Sequence, residues 1–271
     1  MNVSQRIEAN FMDLSPKEQK LGTYILQKGS GLKNKTIHEM ADETKVSPAT
    51  ITRFCRKVGC QSFVELKMQL LQVHESVDDA TVDSQTIFQT VAQFYNRVIQ
   101  RTSELLSEQE VAILVEKLQR ANRIVIYGLG SSGLTAKELA IRLSRMGLNA
   151  TCETDSHLMI ISSTVTQTDD VVIGISNSGE TKEVIYALRN AKVNGAHVVS
   201  MTSMKGSTLA ELADDTLVVH SSRFVDNEQF VNTQLPLFFL IDIVTLKLLE
   251  NPMFSRNMKK TIREITAMNQ P

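Results

Sequence analysis

Apolar residues recur along this chain in two rhythms, and the change between them divides it. Up to about residue 75 the spacing is helical. Ser15-Pro16-Lys17-Glu18 is a helix start, with Ser at the cap, Pro first and Glu three residues on. Leu21, Tyr24 and Ile25 give that helix one apolar face, and Gly29-Ser30-Gly31 stops it. Thr36 caps a short helix over 37–44, with Ile37, Met40 and Ala41 facing inward, and Lys45-Val46 makes a tight turn. Ser47-Pro48 opens a third helix to about Val58, closed by Gly59. Ser62 with Glu65 caps another over 63–73, carrying Leu66, Leu70 and Leu71. A polar, acidic stretch without periodicity follows at 76–84 and reads as a linker.

Beyond it, Ile87, Val91, Phe94, Val98 and Leu105 mark a helix over 86–106, and Ser107 with Glu110 opens another ending before Asn122. From Arg123 the rhythm is strand, loop, helix, repeated. Strands are expected at 124–127, 150–153, 170–175, 196–201 and 216–219. Helices are expected over 134–146, from about Ser156, over 183–191, briefly after Ser207, and over roughly 229–249. This alternation predicts a five-stranded parallel sheet with helices on both faces, joined to an all-α head. The expected division is a head over 1–75, a linker over 76–85 and an α/β body over 86–271.

Totals narrow the class. At 271 residues with 42% hydrophobic and 22% charged residues, the composition is that of a globular protein. The longest apolar runs, such as 235–243, are broken by Pro236 and Asp242 and fall short of a bilayer span. No signal-peptide pattern opens the chain, and Cys55, Cys60 and Cys152 form no CxxC pair. They read as reduced thiols in a cytoplasmic protein, without a structural metal. The net charge of −1 hides an asymmetry: residues 1–75 hold 11 Lys/Arg against 8 Asp/Glu. A basic head on an acidic body suits a polyanionic partner.

Two short helices joined by a tight turn form a helix-turn-helix, whose second helix reads the DNA major groove. On that helix Ile51, Phe54, Cys55 and Val58 fall on a core-facing stripe. Ser47 and Pro48 open it, and Thr50, Thr52, Arg53, Arg56 and Lys57 occupy the other side. Three cations with hydroxyls and no acid suit phosphates and base edges, Arg for guanine and Thr for phosphate or a thymine methyl.

In the body, Ser176-Asn177-Ser178-Gly179-Glu180-Thr181 lies between a buried strand and a helix start. Such a junction offers unpaired N–H groups and the positive end of the helix dipole to an anion. One hydroxyl suffices for a cap, and here three surround a glycine. A second loop, Gly128-Leu129-Gly130-Ser131-Ser132-Gly133, matches G-x-G-x-x-G, and Glu153 lies near a second strand end as a dinucleotide site expects. One phosphorylated sugar accounts for both loops, with hydroxyls bonding sugar and phosphate together.

These residues resemble a known pair of modules. Gly128-Leu-Gly-Ser-Ser with Ser176-Asn-Ser-Gly-Glu-Thr resembles the sugar isomerase (SIS) domain, which has a flavodoxin-like sheet. Leu14-Ser-Pro-Lys-Glu with Val46-Ser-Pro-Ala-Thr-Ile-Thr-Arg-Phe-Cys-Arg-Lys-Val-Gly59 resembles the head of RpiR-type bacterial transcriptional regulators, with Val58 where Leu is common. The resemblance implies a cytoplasmic regulator that binds operator DNA as a homodimer or homotetramer and senses a phosphosugar whose catabolic genes it controls. It assigns Gly130, Ser131, Ser132, Ser176, Asn177, Ser178, Gly179 and Thr181 to the effector. It implies no catalytic residue and no cofactor.

Two enzymes compete with this reading. An aldose–ketose isomerase needs a general base, for which His157, Glu153 and Glu228 are candidates. A basic recognition helix would be useless to it. A nicotinamide-dependent enzyme fits the glycine pattern and leaves the second hydroxyl loop unexplained. The basic tail around 258–263 reads as a solvated helix end, and the eleven methionines as core filler.

Overall fold

The computed structural model describes residues 2–74, 86–221 and 232–268. The chain divides into two compact units, Met1–Arg97 with Ser221–Asn232, and Val98–His220 with Thr233–Pro271. The linker over 76–85 falls outside the described residues.

The head begins with a helix the periodicity does not announce, α1 (Val3–Ala9), capped by Asn2 and burying Val3 and Ile7. α2 (Pro16–Lys28) starts where expected: the Glu18 carboxylate accepts from the Ser15 N–H at 2.9 Å and its hydroxyl at 2.8 Å. α3 (Ile37–Thr44) carries the Thr36–Glu39 capping box, and its inward face is Met40 and Ala41, with Ile37 half-buried. Lys45 closes α3 at φ 55°, the left-handed conformation that lets three residues reverse the chain. α4 (Pro48–Lys57) then starts under the Ser47 cap. Its stripe Ile51, Phe54, Cys55 and Val58 is buried, each large side chain contributing about 1.5–3 kcal/mol. α5 (Phe63–His74) adds Leu66 and Leu70 to this core. Burial pushes the Cys55 thiol up to about 12, which makes it an inert core group.

α6 (Ile87–Leu105) runs through the division between the units. Phe94 and Val98 are buried on it, whereas Ile87 and Phe88 are exposed.

The body is a single parallel sheet of order β2-β1-β3-β4-β5: β1 (Arg123–Gly128), β2 (Ala150–Glu153), β3 (Asp170–Ile175), β4 (His197–Thr202) and β5 (Asp215–Val218). Strand residues alternate between two cores. Ile124, Ile126, Val171, Ile173 and Ile175 pack with α7 (Glu108–Arg120), α8 (Gly130–Arg145), α12 (Leu235–Leu249) and Phe254 of α13 (Pro252–Met268). Val125, Tyr127, Val172 and Val198 pack with α9 (Ser156–Thr164), α10 (Lys182–Val193) and α11 (Thr208–Leu212). Burial on both faces explains why these strands read as unbroken apolar runs. Of the helix expected over 229–249, residues 229–231 fall outside the described residues, 233–234 form a turn, and α12 begins at Leu235.

Leu240 is fully buried on the inner face of α12. Leu240→Ala is expected to lower the body's stability by about 2–5 kcal/mol in urea unfolding, the cost of a large core truncation. A loss well under 1 kcal/mol would show that α12 does not seal that face.

Candidate functional site

The strand order places a topological switch point between β1 and β3, since β1 pairs with β2 on one side and β3 on the other. Both hydroxyl-bearing loops leave the sheet there, at the carboxyl ends of adjacent strands, with Gly128 opposite Ile175 in register. Ligands of open parallel sheets bind at such a crevice.

The first loop is shorter than its pattern suggests. Gly130 takes φ 56° and α8 begins there, so Ser131 and Ser132 lie in the first helical turn, four residues earlier than expected. The glycines also serve packing. A Cβ on Gly128 would meet the Ser132 carbonyl oxygen at 2.6 Å, and one on Gly133 the Gly128 oxygen at 2.8 Å. This close strand–helix approach explains the G-x-G-x-x-G spacing without a dinucleotide. Thr135, one turn further along α8, donates to Gln234 Oε1 at 2.7 Å.

The second loop brings Ser176, Ser178 and Thr181 together. Ser176 is buried; its Oγ lies 2.8 Å from Thr181 Oγ1 and accepts the Gly179 N–H at 3.1 Å. Ser178 is exposed and accepts the Glu180 N–H at 3.2 Å. Part of the hydroxyl excess therefore builds the turn, and Ser178 and Thr181 remain nearest the rim. Thr181 is the N-cap residue of α10 and makes no side-chain cap, so the first-turn N–H groups of α10 face the same region.

A third element, missing from the sequence reading, closes the cradle. After β4, Ser203 donates to Asn177 Oδ1, and Thr202 Oγ1 donates to the Asn177 carbonyl at 3.4 Å. Glu180 accepts from the Thr208 N–H at 2.8 Å and the Thr208 hydroxyl at 2.9 Å. Gly179, at φ 67°, fits against this loop; a Cβ there would lie 2.0 Å from Ser207 Oγ. Adjacent strands place these residues together, which spacing along the chain does not reveal. Of the candidate bases, His157 is exposed in the first turn of α9 and Glu153 ends β2, while Glu228 lies outside the described residues. Among the described residues no cluster of His, Cys, Asp and Glu is arranged to hold a metal.

In the head, α4 presents the expected face. Ser47 Oγ lies 2.9 Å from Thr50 Oγ1, which accepts from the Arg53 guanidinium at 3.3 Å. Thr52 bonds back to the Pro48 carbonyl at 3.0 Å. Arg53 and Arg56 are exposed and form no ion pair among the described residues. Lys57 differs from the sequence expectation of an acid-free face: its Nζ is 2.8 Å from Glu18 Oε2 of α2. Burial raises the Glu18 pKa, but the bonds from Lys57 and Ser15 outweigh it and hold the carboxyl below its ordinary value. α1 holds the same end of α4, where Arg6 Nε donates to the carbonyl of the C-cap residue Val58 at 2.7 Å and the guanidinium reaches Gln69.

Residues 1–76 match the helix-turn-helix domain of the rpiR family, and residues 117–246 match the SIS domain. This chain belongs to the RpiR family of transcriptional regulators. It is 32% identical to an uncharacterized HTH-type transcriptional regulator of Caldanaerobacter subterraneus, over 85% of this chain and 84% of that one. Its fold is similar to that of Vibrio vulnificus NanR complexed with ManNAc-6P, at 27% identity and TM-score 0.63 over the whole of both chains. It is also similar to a putative sugar-phosphate isomerase from Listeria monocytogenes, at 26% identity and TM-score 0.54, over 60% of this chain and 87% of that one. The RpiR-family chain is thus an HTH-type regulator joined to a SIS domain. No helix among its described residues is long and apolar enough to cross a membrane.

Gly179→Ala is expected to lower the melting temperature of this regulator by several degrees, from about 1–3 kcal/mol of backbone strain plus the Ser207 clash. Gly130→Ala, with open space around its Cβ, should cost only about 1 kcal/mol. Equal shifts in a thermal melt would contradict the packing assigned to Gly179.

Proposed function

We propose that this regulator binds operator DNA through α4 and that a phosphorylated sugar, held where β1 and β3 end, sets its operator affinity. The supporting observation is the convergence of the two hydroxyl loops at one switch point, beside the N-termini of α8 and α10. Two helix N-termini with orphan N–H groups favour a dianionic phosphate, and the surrounding hydroxyls match a polyol. Gly130, Ser131, Ser132, Asn177, Ser178, Gly179 and Thr181 surround that position, with Ser176 holding the turn. Ser203 and Thr202 extend the cradle.

The DNA-reading face consists of Ser47, Pro48, Thr50, Thr52, Arg53 and Arg56. The two arginines grip phosphate or guanine, and the hydroxyls near the helix start meet the backbone. Residues 1–75 then form the operator-binding part, 76–85 the connection and 86–271 the sensor. The protein acts in the cytoplasm as a homodimer or homotetramer, so that paired heads match a two-fold operator. The effector acts by binding two arrangements of the subunits with different affinity, the only route by which a ligand shifts such an equilibrium. The genes controlled are those of sugar catabolism, and the regulator is not itself an enzyme.

ManNAc-6P, the ligand of the similar NanR, is the first effector to test. At a hundredfold excess over Kd a true effector stabilises by about 2.7 kcal/mol, a clear shift in a thermal melt. The shift should weaken in Ser178→Ala, and the sugar should be recovered unaltered. If no sugar phosphate in a broad panel produces a shift, the sensing half of the proposal falls; steady turnover would replace it with the isomerase reading.

For the head, Arg53→Ala and Arg56→Ala are each expected to flatten the dependence of log affinity on log salt by about one unit on duplex DNA. Unchanged slopes in both variants would remove α4 from the DNA contact.

A further inference from the structure

The outer face of α4 carries three cations by sequence, but only two are free of an ion pair among the described residues. Lys57 Nζ is bonded to Glu18 Oε2 at 2.8 Å, and the same oxygen accepts both Ser15 donors. The Glu18 side chain is only 7% exposed, whereas Lys57 is half-exposed. A carboxylate so buried needs a counter-charge nearby. Lys57 supplies it from the last turn of the recognition helix, where a cation also suits the helix dipole. The charge of Lys57 is therefore already neutralised inside the head.

We propose that Glu18 is a positioning residue that holds Lys57 off the DNA phosphates, so that the recognition helix engages the duplex with two cations and not three. This rests on the DNA-binding reading given above. Sequence-independent affinity grows with each phosphate a protein neutralises, whereas base readout does not. Tying down one lysine thus lowers attachment to arbitrary DNA while leaving Arg53, Thr50 and Ser47 to read the groove. The same bond fixes the end of α4 against the start of α2, and so the angle at which α4 is presented.

The test measures binding of the full-length protein to a fluorescein-labelled, mixed-sequence DNA duplex by anisotropy across a salt series. Glu18→Gln keeps the side-chain shape and one acceptor oxygen but removes the charge that restrains Lys57. Its log–log salt slope should steepen by about 0.9, so that affinity gains about 3- to 4-fold more at 50 mM than at 200 mM salt. The double variant Glu18→Gln/Lys57→Met should return to the wild-type slope. A merely structural role for Glu18 would lower the melting temperature and leave the slope alone, which would overturn the proposal. Should Glu18→Gln fail to fold, the double variant decides by itself. It removes both partners of the bond, and a slope about one unit shallower than wild type would mean that Lys57 already grips phosphate. If wild type does not bind the duplex at low salt, the DNA-binding reading falls with the inference; if wild type binds and Glu18→Gln matches its slope, the inference alone falls.

Discussion

Burial of β3 on both faces governs the rest of the body. Every residue from Asp170 to Ile175 is buried, with Ile173 and Val172 feeding opposite cores. Its parallel pairing with β1 and β4 requires crossover connections, and helices cover the sheet on each side. All the helix N-termini after the strands consequently gather at one rim. Gly174 shows how tightly the enclosure fits, because a Cβ there would meet Leu188 at 2.8 Å. The hydroxyl-rich turn after β3 emerges beside the glycine turn after β1 because no other exit is open to it. A polar crevice is therefore an outcome of packing the apolar strands, and the serines decorate a place the fold had already created.

In the head the corresponding constraint is the buried stripe of α4. Once Ile51, Phe54, Cys55 and Val58 are inside, the opposite face must look outward. The polar tethers then set its angle. Arg6 grips the carbonyl of the C-cap residue Val58, and Glu18 holds Lys57 one residue earlier, so both act on the same end of α4. These contacts join residues 52 and 39 positions apart. They pin the C-terminal end of α4 to α1 and α2.

Local signals in the sequence were reliable where the physics is local. The caps at Ser15, Thr36 and Ser47 each act within a single turn of chain, and their helices begin where those residues predict. Strand type and order of appearance followed from long apolar runs. What escaped was set by neighbours distant in sequence. Ser203 joins the cradle because β4 lies beside β3, and nothing in its own surroundings marks it. Glu18 looked like a simple cap, and its second role depends on a lysine in another helix. α1 was missed because two inward residues, Val3 and Ile7, are too few to establish a period. Flanking glycines make Ser131 and Ser132 resemble loop, yet the single positive-φ residue Gly130 completes the turn and α8 starts there.

The far end of α8 carries one further implication. Its terminal carbonyls are clasped by α13: Asn257 donates to the Met146 oxygen at 2.9 Å and Thr261 to that of Arg145 at 3.3 Å. At 16 residues, α8 is a stiff rod about 24 Å long, and its other tip carries Ser131 and Ser132. A rod clasped at one tip passes movement there to the other. α13 is thereby geared to the rim where the two hydroxyl-bearing loops emerge, and a displacement of α13 would be passed along the rod to Ser131 and Ser132.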